Sequence, residues 1–281
     1  MNKSAIYRTT VNRAALGACM LCAALAVGIL FYMLVYVFLK GAGHLNLDFF
    51  TNTPKPLGQA GGGIKNSIVG TGIIVGIASL VAIPVGLGMG IFVSEYASPR
   101  LGGLIRFIAD VLTGVPSIVV GLFIYSLIVL RMGHFSGIAG AMALAVIMLP
   151  IIARSSEEML KLVPHSQREA ALALGIPQWR SILSVILPAA RRGLITGCLL
   201  AVARAMGETA PLMFTSLGNR FLTTDPSKEM DAMPLLIYRY AIGPYDDWHQ
   251  QAWAAAFVLM LFVLVLSIFA RFVAADRTRR S

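Results

Sequence analysis

Two residues of opposite charge, Arg204 and Glu208, lie inside residues 193–217, an apolar stretch long enough to cross a bilayer. A charge at mid-bilayer costs about 2.5–3.5 kcal/mol even on insertion scales, so a charged residue there is expected to have a role. On a helix, a spacing of four places both residues on one face. At about 1.5 Å per residue, Arg204 would lie roughly 16 Å and Glu208 roughly 22 Å into the stretch. They form either a structural ion pair or part of an anion path, in which the guanidinium binds a tetrahedral oxyanion and Glu208 holds Arg204 when the site is empty.

Two further charges, Asp110 and Arg154, stand near the ends of neighbouring apolar stretches, residues 107–130 and 136–153. We group them with the first pair as candidate substrate-path residues. The histidines are isolated in the sequence and have no metal-ligand spacing, and no Ser/His/Asp arrangement stands out. The sequence therefore predicts no catalytic residue and no metal site.

The composition is that of a membrane protein. Hydrophobic residues make up 57% of the chain and charged residues 13%, whereas soluble domains have about 25% charged residues. Apolar runs close to the ~20 residues that cross a bilayer occur at 15–39, 67–93, 107–130, 136–153, 193–217 and 252–275. The predicted fold is all-α, a polytopic membrane protein with six transmembrane helices.

Glycine and proline predict irregularities in two of these spans. Pro84 predicts a kink in the second span, and residues 114–117, Gly-Val-Pro-Ser, interrupt the third. Two pairs of glycines with small-xxx-small spacing predict close helix approach in the second span: Gly72 with Gly76, and Gly86 with Gly90. Broken helices in a small bundle suggest a pathway through it.

The positive charges indicate the orientation in the membrane. Lysine and arginine are concentrated before the first span, between the fourth and fifth spans, and after the sixth, which predicts that these segments and both termini are cytoplasmic. The net charge of +10 is therefore explained by topology, and nothing resembles a nucleic-acid footprint. The predicted organisation is an anchor helix with an outer loop at 1–65, a main membrane domain at 66–275 and a cytoplasmic tail at 276–281.

A short polar segment, residues 166–175, predicts a helix of about two turns between the fourth and fifth spans. Ser166 and Glu169 fit a capping box at its start. Gly175 fits the left-handed residue that ends a helix, and Pro177 prevents the helix from continuing. Such a helix is too short to be stable alone, so it must be held by packing.

The same segment resembles the EAA loop of ABC importer permeases. The resemblance rests on Glu169-Ala170-Ala171, on Gly175 six positions after the glutamate, and on Leu-Pro at 187–188; Val185 stands where the family has isoleucine. It implies that the helix docks in a cleft of a cytoplasmic ATPase and transmits the closure of that ATPase to the membrane.

A glycine-rich stretch at residues 58–65 does not make a nucleotide site. Its lysine does not directly follow the second glycine of the phosphate-loop spacing, no strand precedes it, and it is predicted to lie outside the cell. We therefore expect this chain to bind no cofactor, with ATP and magnesium held by a partner ATPase.

Three further segments, residues 62–71, 114–122 and 203–212, are similar to the PstA-type permeases of phosphate ABC importers, and the similarity extends over most of 60–275. Gly-Glu-Thr followed by Ala-Pro-Leu favours the PstA type over its PstC-type paralogue. The resemblance implies a type I ABC importer permease fold for 66–275. It also implies a heterodimer with a PstC-type permease, two PstB-type ATPase subunits and a PstS-type phosphate-binding protein, in the bacterial inner membrane.

The resulting functional prediction is a permease subunit that moves inorganic phosphate into the cell by alternating access, driven by ATP hydrolysis in the partner. A sulfate or molybdate permease remains an alternative, because the EAA loop is shared and these oxyanions also suit arginine. A passive anion channel or a membrane-embedded enzyme is a different class of protein, but neither explains the EAA loop.

Overall fold

The computed structural model describes residues 3–56, 59 and 61–275, so the predicted tail at 276–281 lies outside the described residues. Within them the chain is helical and has no β-strand. The α-helices are α1 (Lys3–Gly41), α2 (Leu47–Thr51), α3 (Lys65–Glu95), α4 (Pro99–Gly114), α5 (Ser117–Ile124), α6 (Leu130–Met132), α7 (Gly137–Lys161), α8 (His165–Ala173), α9 (Gln178–Ser181), α10 (Leu187–Ala205), α11 (Ala210–Thr215), α12 (Met233–Ala241) and α13 (Asp246–Ala275). A 3-10 turn at Ala42–His44 follows α1, and π-helical turns at Tyr125–Val129 and Ile182–Ile186 join α5 to α6 and α9 to α10.

Five described helices are long and apolar enough to cross a membrane, and counting one bent pair as a span gives the six that the sequence predicts. Five are single helices: Thr10–His44, Lys65–Glu95, Gly137–Lys161, Gln178–Ala205 and Asp246–Phe272. The sixth is a pair, Pro99–Gly114 and Ser117–Met132, bent by 99°. The prediction of an all-α polytopic fold is confirmed.

The bend in the third span lies where the sequence predicts an interruption. Val115 is extended, with ψ 129°, because proline disfavours a helical conformation in the residue before it. Pro116 itself is also non-helical, with ψ 133°. Pro84 does not have this effect, since α3 continues through it as one helix. The second span is therefore not broken at Pro84, and the kink that the sequence predicts there stays a prediction.

The predicted bounds of the fifth span, 193–217, are also wrong. The helix starts at Gln178 and ends at Ala205, and the short helix α11 follows only at Ala210. Gly207 lies in the gap, and its low helix propensity together with Pro211 favours ending the helix there. The chain therefore leaves the helical conformation between the two charges that the sequence places on one helical face.

The core of the bundle is the contact between α3 and α7, which run in the same direction. Gly86 and Gly90 of α3 face Ile152 and Ser156 of α7, so closely that an added Cβ would meet the facing side chains at 2.8 Å and 2.6 Å. This confirms the close approach predicted for that glycine pair. Gly72 and Gly76 are exposed and have no atom within 4 Å of an added Cβ, so within the described chain they do not mediate the predicted contact.

The bundle has two ends, which we call the α8 end and the far end. The α8 end contains Glu95, α8 and Ala270, whose carbonyl accepts a hydrogen bond from Thr196. The far end contains α2, α12 and the loop at 216–232, which we call the far-end loop. Helices α3, α7 and α13 run from the far end to the α8 end, while α4 and α10 run back. A polar link at one end is therefore separated from a link at the other end by the length of the bundle.

Candidate functional site

An open cavity of about 560 Å³ lies beside the bend in the third span, where α4 faces α7 and the end of α10. Three of the four predicted substrate-path residues line it: Asp110, Arg154 and Arg204. Its other lining residues are Thr113, Gly114, Pro150 and Ile151. The fold therefore brings two guanidinium groups and a carboxylate, from three different helices, to one opening.

Arg154 bridges two helices inside this cavity. Its Nε lies 3.1 Å from Asp110 Oδ1 on α4, and its Nη1 lies 3.4 Å from Glu157 Oε2 on its own helix. About a third of the Arg154 side chain stays exposed. The guanidinium is thus held by carboxylates while part of it still faces the cavity.

Arg204 and Glu208 remain close although they do not share a helix. Glu208 lies in the gap after α10, and its carboxylate comes within 3.9 Å of Arg204 Nε. This distance is longer than the roughly 2.7–2.9 Å of a charge-assisted hydrogen bond. The Arg204 side chain is 58% exposed, so the guanidinium is available to another anion.

The predicted coupling helix is present as α8, with different capping at its start. Pro164, not Ser166, is the cap residue, and no side chain caps the helix. The predicted capping box is wrong, because the helix begins at His165 and Ser166 is already inside its first turn. The end is as predicted: Gly175 has φ +74°, and the Ile176 N–H donates to the Ala171 carbonyl at 3.2 Å, which is the Schellman pattern that a left-handed residue allows.

The four predicted coupling residues lie on the outside of the α8 end. Glu169, Ala170 and Gly175 are exposed, and only Ala171 is buried. Large apolar side chains surround them and are also exposed: Leu162, Leu172, Leu174 and Trp179. A helix that is fixed on one side and apolar at its free rim is typical of a docking element.

Comparison with known proteins agrees with this geometry. Residues 82–279 match the family of binding-protein-dependent transport system inner membrane components. The chain is 43% identical to the phosphate transport system permease protein PstA of Yersinia pestis, and the match covers 98% of this chain and 94% of the Yersinia protein. The PstA of Haemophilus influenzae is also 43% identical, with 94% of each chain covered. The chain belongs to the PstA permease family.

A solved structure supports the fold independently. A bacterial alginate ABC transporter, in complex with a periplasmic protein that holds an alginate pentasaccharide, superposes with a TM-score of 0.67 at 12% identity, covering 97% of this chain and 98% of the other. At that identity the likeness shows the fold alone. The family match and the PstA relatives make this chain the permease subunit of an ABC transporter and a multi-pass inner membrane component.

Glu157 is a charged residue of this PstA-family chain that the sequence reasoning missed. Its carboxylate is only 3% exposed and accepts a hydrogen bond from Arg106 Nε at 2.6 Å and from the Lys161 ammonium at 2.5 Å, in addition to its contact with Arg154. Its spacing from Arg154 and Lys161, three and four residues on one helix, is a signal that the sequence contains. Arg106 comes from α4, so the same carboxylate joins α4 to α7.

Arg168 is a second missed residue, and it explains how α8 is held. It makes a fork with Glu95 at the end of α3, with its Nη2 at 2.9 Å from Oε1 and its Nε at 3.2 Å from Oε2. The same guanidinium donates to the carbonyls of Leu160 and Val163, at the end of α7, where carbonyls lack partners within the regular helical pattern. No local pattern predicts this pairing, because 73 residues separate the two partners.

A third missed cluster surrounds Asp231 at the far end. Its buried carboxylate accepts from Ser67 Oγ at 2.6 Å, from Asn66 Nδ2 at 3.3 Å and from the Arg239 guanidinium. Burial raises the pKa of the Asp231 carboxyl, and Arg239 is the strongest opposing influence. Asn66 and Ser67 are polar residues at the start of a span, which is the only sequence signal for this cluster.

Proposed function

We propose that this chain is the permease subunit of an ATP-driven importer and moves inorganic phosphate into the cell. The observation that carries the proposal is the cavity lined by both Arg154 and Arg204, in a chain whose relatives at 43% identity are phosphate transport permeases. Arginine suits this cargo because its planar fork matches phosphate oxygens two at a time.

The carboxylates beside these arginines act as partners of the empty site. Asp110 holds Arg154 and Glu208 holds Arg204, so each guanidinium has a counter-charge while the site is empty. When a phosphate enters the cavity, its oxygens replace these carboxylate oxygens as the partners of the two guanidinium groups. Because each pair is partly exposed, the exchange costs little.

The same carboxylates favour phosphate over sulfate. Monohydrogen phosphate keeps a proton near neutral pH and can donate a hydrogen bond to Asp110 or Glu208, whereas sulfate has no proton and meets only repulsion from these groups. This argument, together with the names of the relatives, supports phosphate over the sulfate and molybdate alternatives.

The proposed complex contains a PstC-type permease, two PstB-type ATPases that bind ATP and magnesium, and a PstS-type phosphate-binding protein. The exposed rim of α8 would dock on an ATPase, with Glu169, Ala170, Ala171 and Gly175 at the contact. The positive-inside bias supports placing α8 and both termini in the cytoplasm. Closure of the ATPases would then pull α8 and open the spans outward, and ATP hydrolysis would return the inward-facing state.

The test is uptake into proteoliposomes that contain this chain co-expressed with its partner subunits. We expect phosphate accumulation that requires ATP and the binding protein, and that excess sulfate does not compete away. The chain reconstituted alone should show neither ATP hydrolysis nor accumulation. Phosphate flux through the chain alone would contradict the importer and favour a passive channel, and competition by sulfate would favour the other oxyanion permeases.

A further inference from the structure

Helix α3 ends in a buried polar link at the α8 end. The fork between Glu95 and Arg168 is well shielded, with 6% of the glutamate and 16% of the arginine side chain exposed. The Gln178 side chain also donates to the Glu95 carbonyl at 2.9 Å. Arg168 in α8 and Gln178 at the start of α9 lie on either side of the four predicted coupling residues, and both bind the last residue of α3.

At its other end, α3 is fixed to the far-end loop. Ser67 binds the fully buried Asp231 carboxylate, and the Asn66 side chain donates to the Asn219 carbonyl at 2.6 Å. One turn further along α3, Thr71 Oγ1 accepts a hydrogen bond from the Met233 N–H at 2.8 Å. The first two turns of α3 therefore hold both ends of the segment from 219 to 233.

Between these two links α3 is one uninterrupted helix of 31 residues, about 46 Å long. Its buried residues pack on α7 along this length, with Ala78 and Ala82 on one side of Pro84 and Gly86 and Gly90 on the other. The tight packing supports the helix at the proline, where one backbone hydrogen bond is missing. A displacement of one end is therefore passed to the other.

We propose that α3 is a strut that carries the movement of α8 across the membrane to the far-end loop, with Glu95 as the positioning residue that joins α3 to α8. The inference rests on the proposed function, since the ATPases supply the movement of α8. It adds a route that bypasses the substrate cavity, because neither link of α3 includes Arg154 or Arg204. The far-end loop then responds to ATP even before phosphate has moved.

The experiment measures movement of the far-end loop in the complete complex. Spin labels replace Phe221, which is 81% exposed in that loop, and Leu130, which is 61% exposed on α6, after Cys19 and Cys22 have been changed to alanine. We expect ATP to change the distance between the labels, and Glu95→Gln to reduce that change by more than half. The matched control is Glu158→Gln, an exposed carboxylate at the end of α7, which should leave the change intact.

A second variant acts at the opposite link without touching α8. Ser67→Ala removes the donor to Asp231 and should reduce the ATP-driven distance change as well, even if Glu95→Gln assembles poorly. Both variants should keep ATP hydrolysis while less phosphate is moved per ATP, whereas a merely structural role would lower the two together. A full distance change in either assembled variant would overturn the strut. The distance does not depend on the cargo, so absence of phosphate uptake by the wild type would contradict the proposed function alone.

Discussion

Two arginine–glutamate pairs of this protein differ in nearly every physical respect. Arg168 and Glu95 form a close fork, 2.9 Å at its shorter arm, with both side chains mostly buried. Arg204 and Glu208 approach only to 3.9 Å, and more than half of the arginine is exposed. Breaking a buried pair strands a charge and costs about 3–5 kcal/mol, whereas an exposed pair contributes about 0–1 kcal/mol.

The difference indicates that the close pair stabilises the structure, whereas the loose pair is suited to binding a ligand. The close pair's arginine also donates to two carbonyls at the end of α7, so four of its five N–H groups are already engaged within the protein. The loose pair lies at a cavity and can exchange its carboxylate for a phosphate at little cost. We therefore expect changes at Arg204 to affect transport without stability, and changes at Arg168 to affect both.

The largest effect should come from Arg204→Gln, which we expect to reduce phosphate uptake at least about 100-fold, since a neutral amide does not compensate for desolvating the oxyanion. Arg204→Lys should recover only part of it, because a point charge replaces the fork. Uptake is measured at matched membrane expression, with complex assembly as the control.

The double variant Arg204→Gln with Glu208→Gln distinguishes a structural ion pair from an anion site. Removing both charges leaves neither one stranded, so a purely structural pair would tolerate the change and transport would recover. An anion site requires the double variant to assemble normally and stay inactive. Recovery of uptake would assign the pair to scaffolding.

An intermediate effect is expected for Gly175→Val, which forces a β-branched residue to φ +74° at a cost of about 1–3 kcal/mol. No atom lies within 4 Å of an added Cβ, so the strain is in the backbone and not in packing. Uptake should fall about 10-fold while membrane insertion persists. Gly175→Asn, which tolerates this conformation better, is the matched control, and equal uptake by the valine variant and the wild type would contradict a geometric role for the end of α8.

The smallest effect is expected for Arg168→Lys, which keeps the charge facing Glu95 but loses the fork and the bonds to the α7 carbonyls. We expect a loss of about 1–3 kcal/mol, visible as a lower thermal midpoint of the purified complex, with uptake reduced only a few-fold. Arg204→Lys should leave that midpoint unchanged. If the two lysine variants lowered the midpoint equally, the contrast between the pairs would not hold.

Much of the architecture could be predicted from the sequence, because membrane spans and helix ends depend on residues that are close together along the chain. Spans need long apolar runs, and the bend at 114–117 and the end of α8 at Gly175 follow from the backbone preferences of proline and glycine. The charges in the spans were likewise visible in advance, since few residues are so costly there.

Other features were decided only by the tertiary structure. The sequence placed Arg204 and Glu208 on one helix, but the helix ends between them, and they stay close through the path of the chain. Ser166 suited a cap by its type, yet the helix begins before it. Glu95 and Arg168 are 73 residues apart, and Ser67 and Asp231 are 164 apart. Periodicity, propensity and capping patterns report on neighbours along a helix, whereas these partners meet only after whole helices have packed against each other.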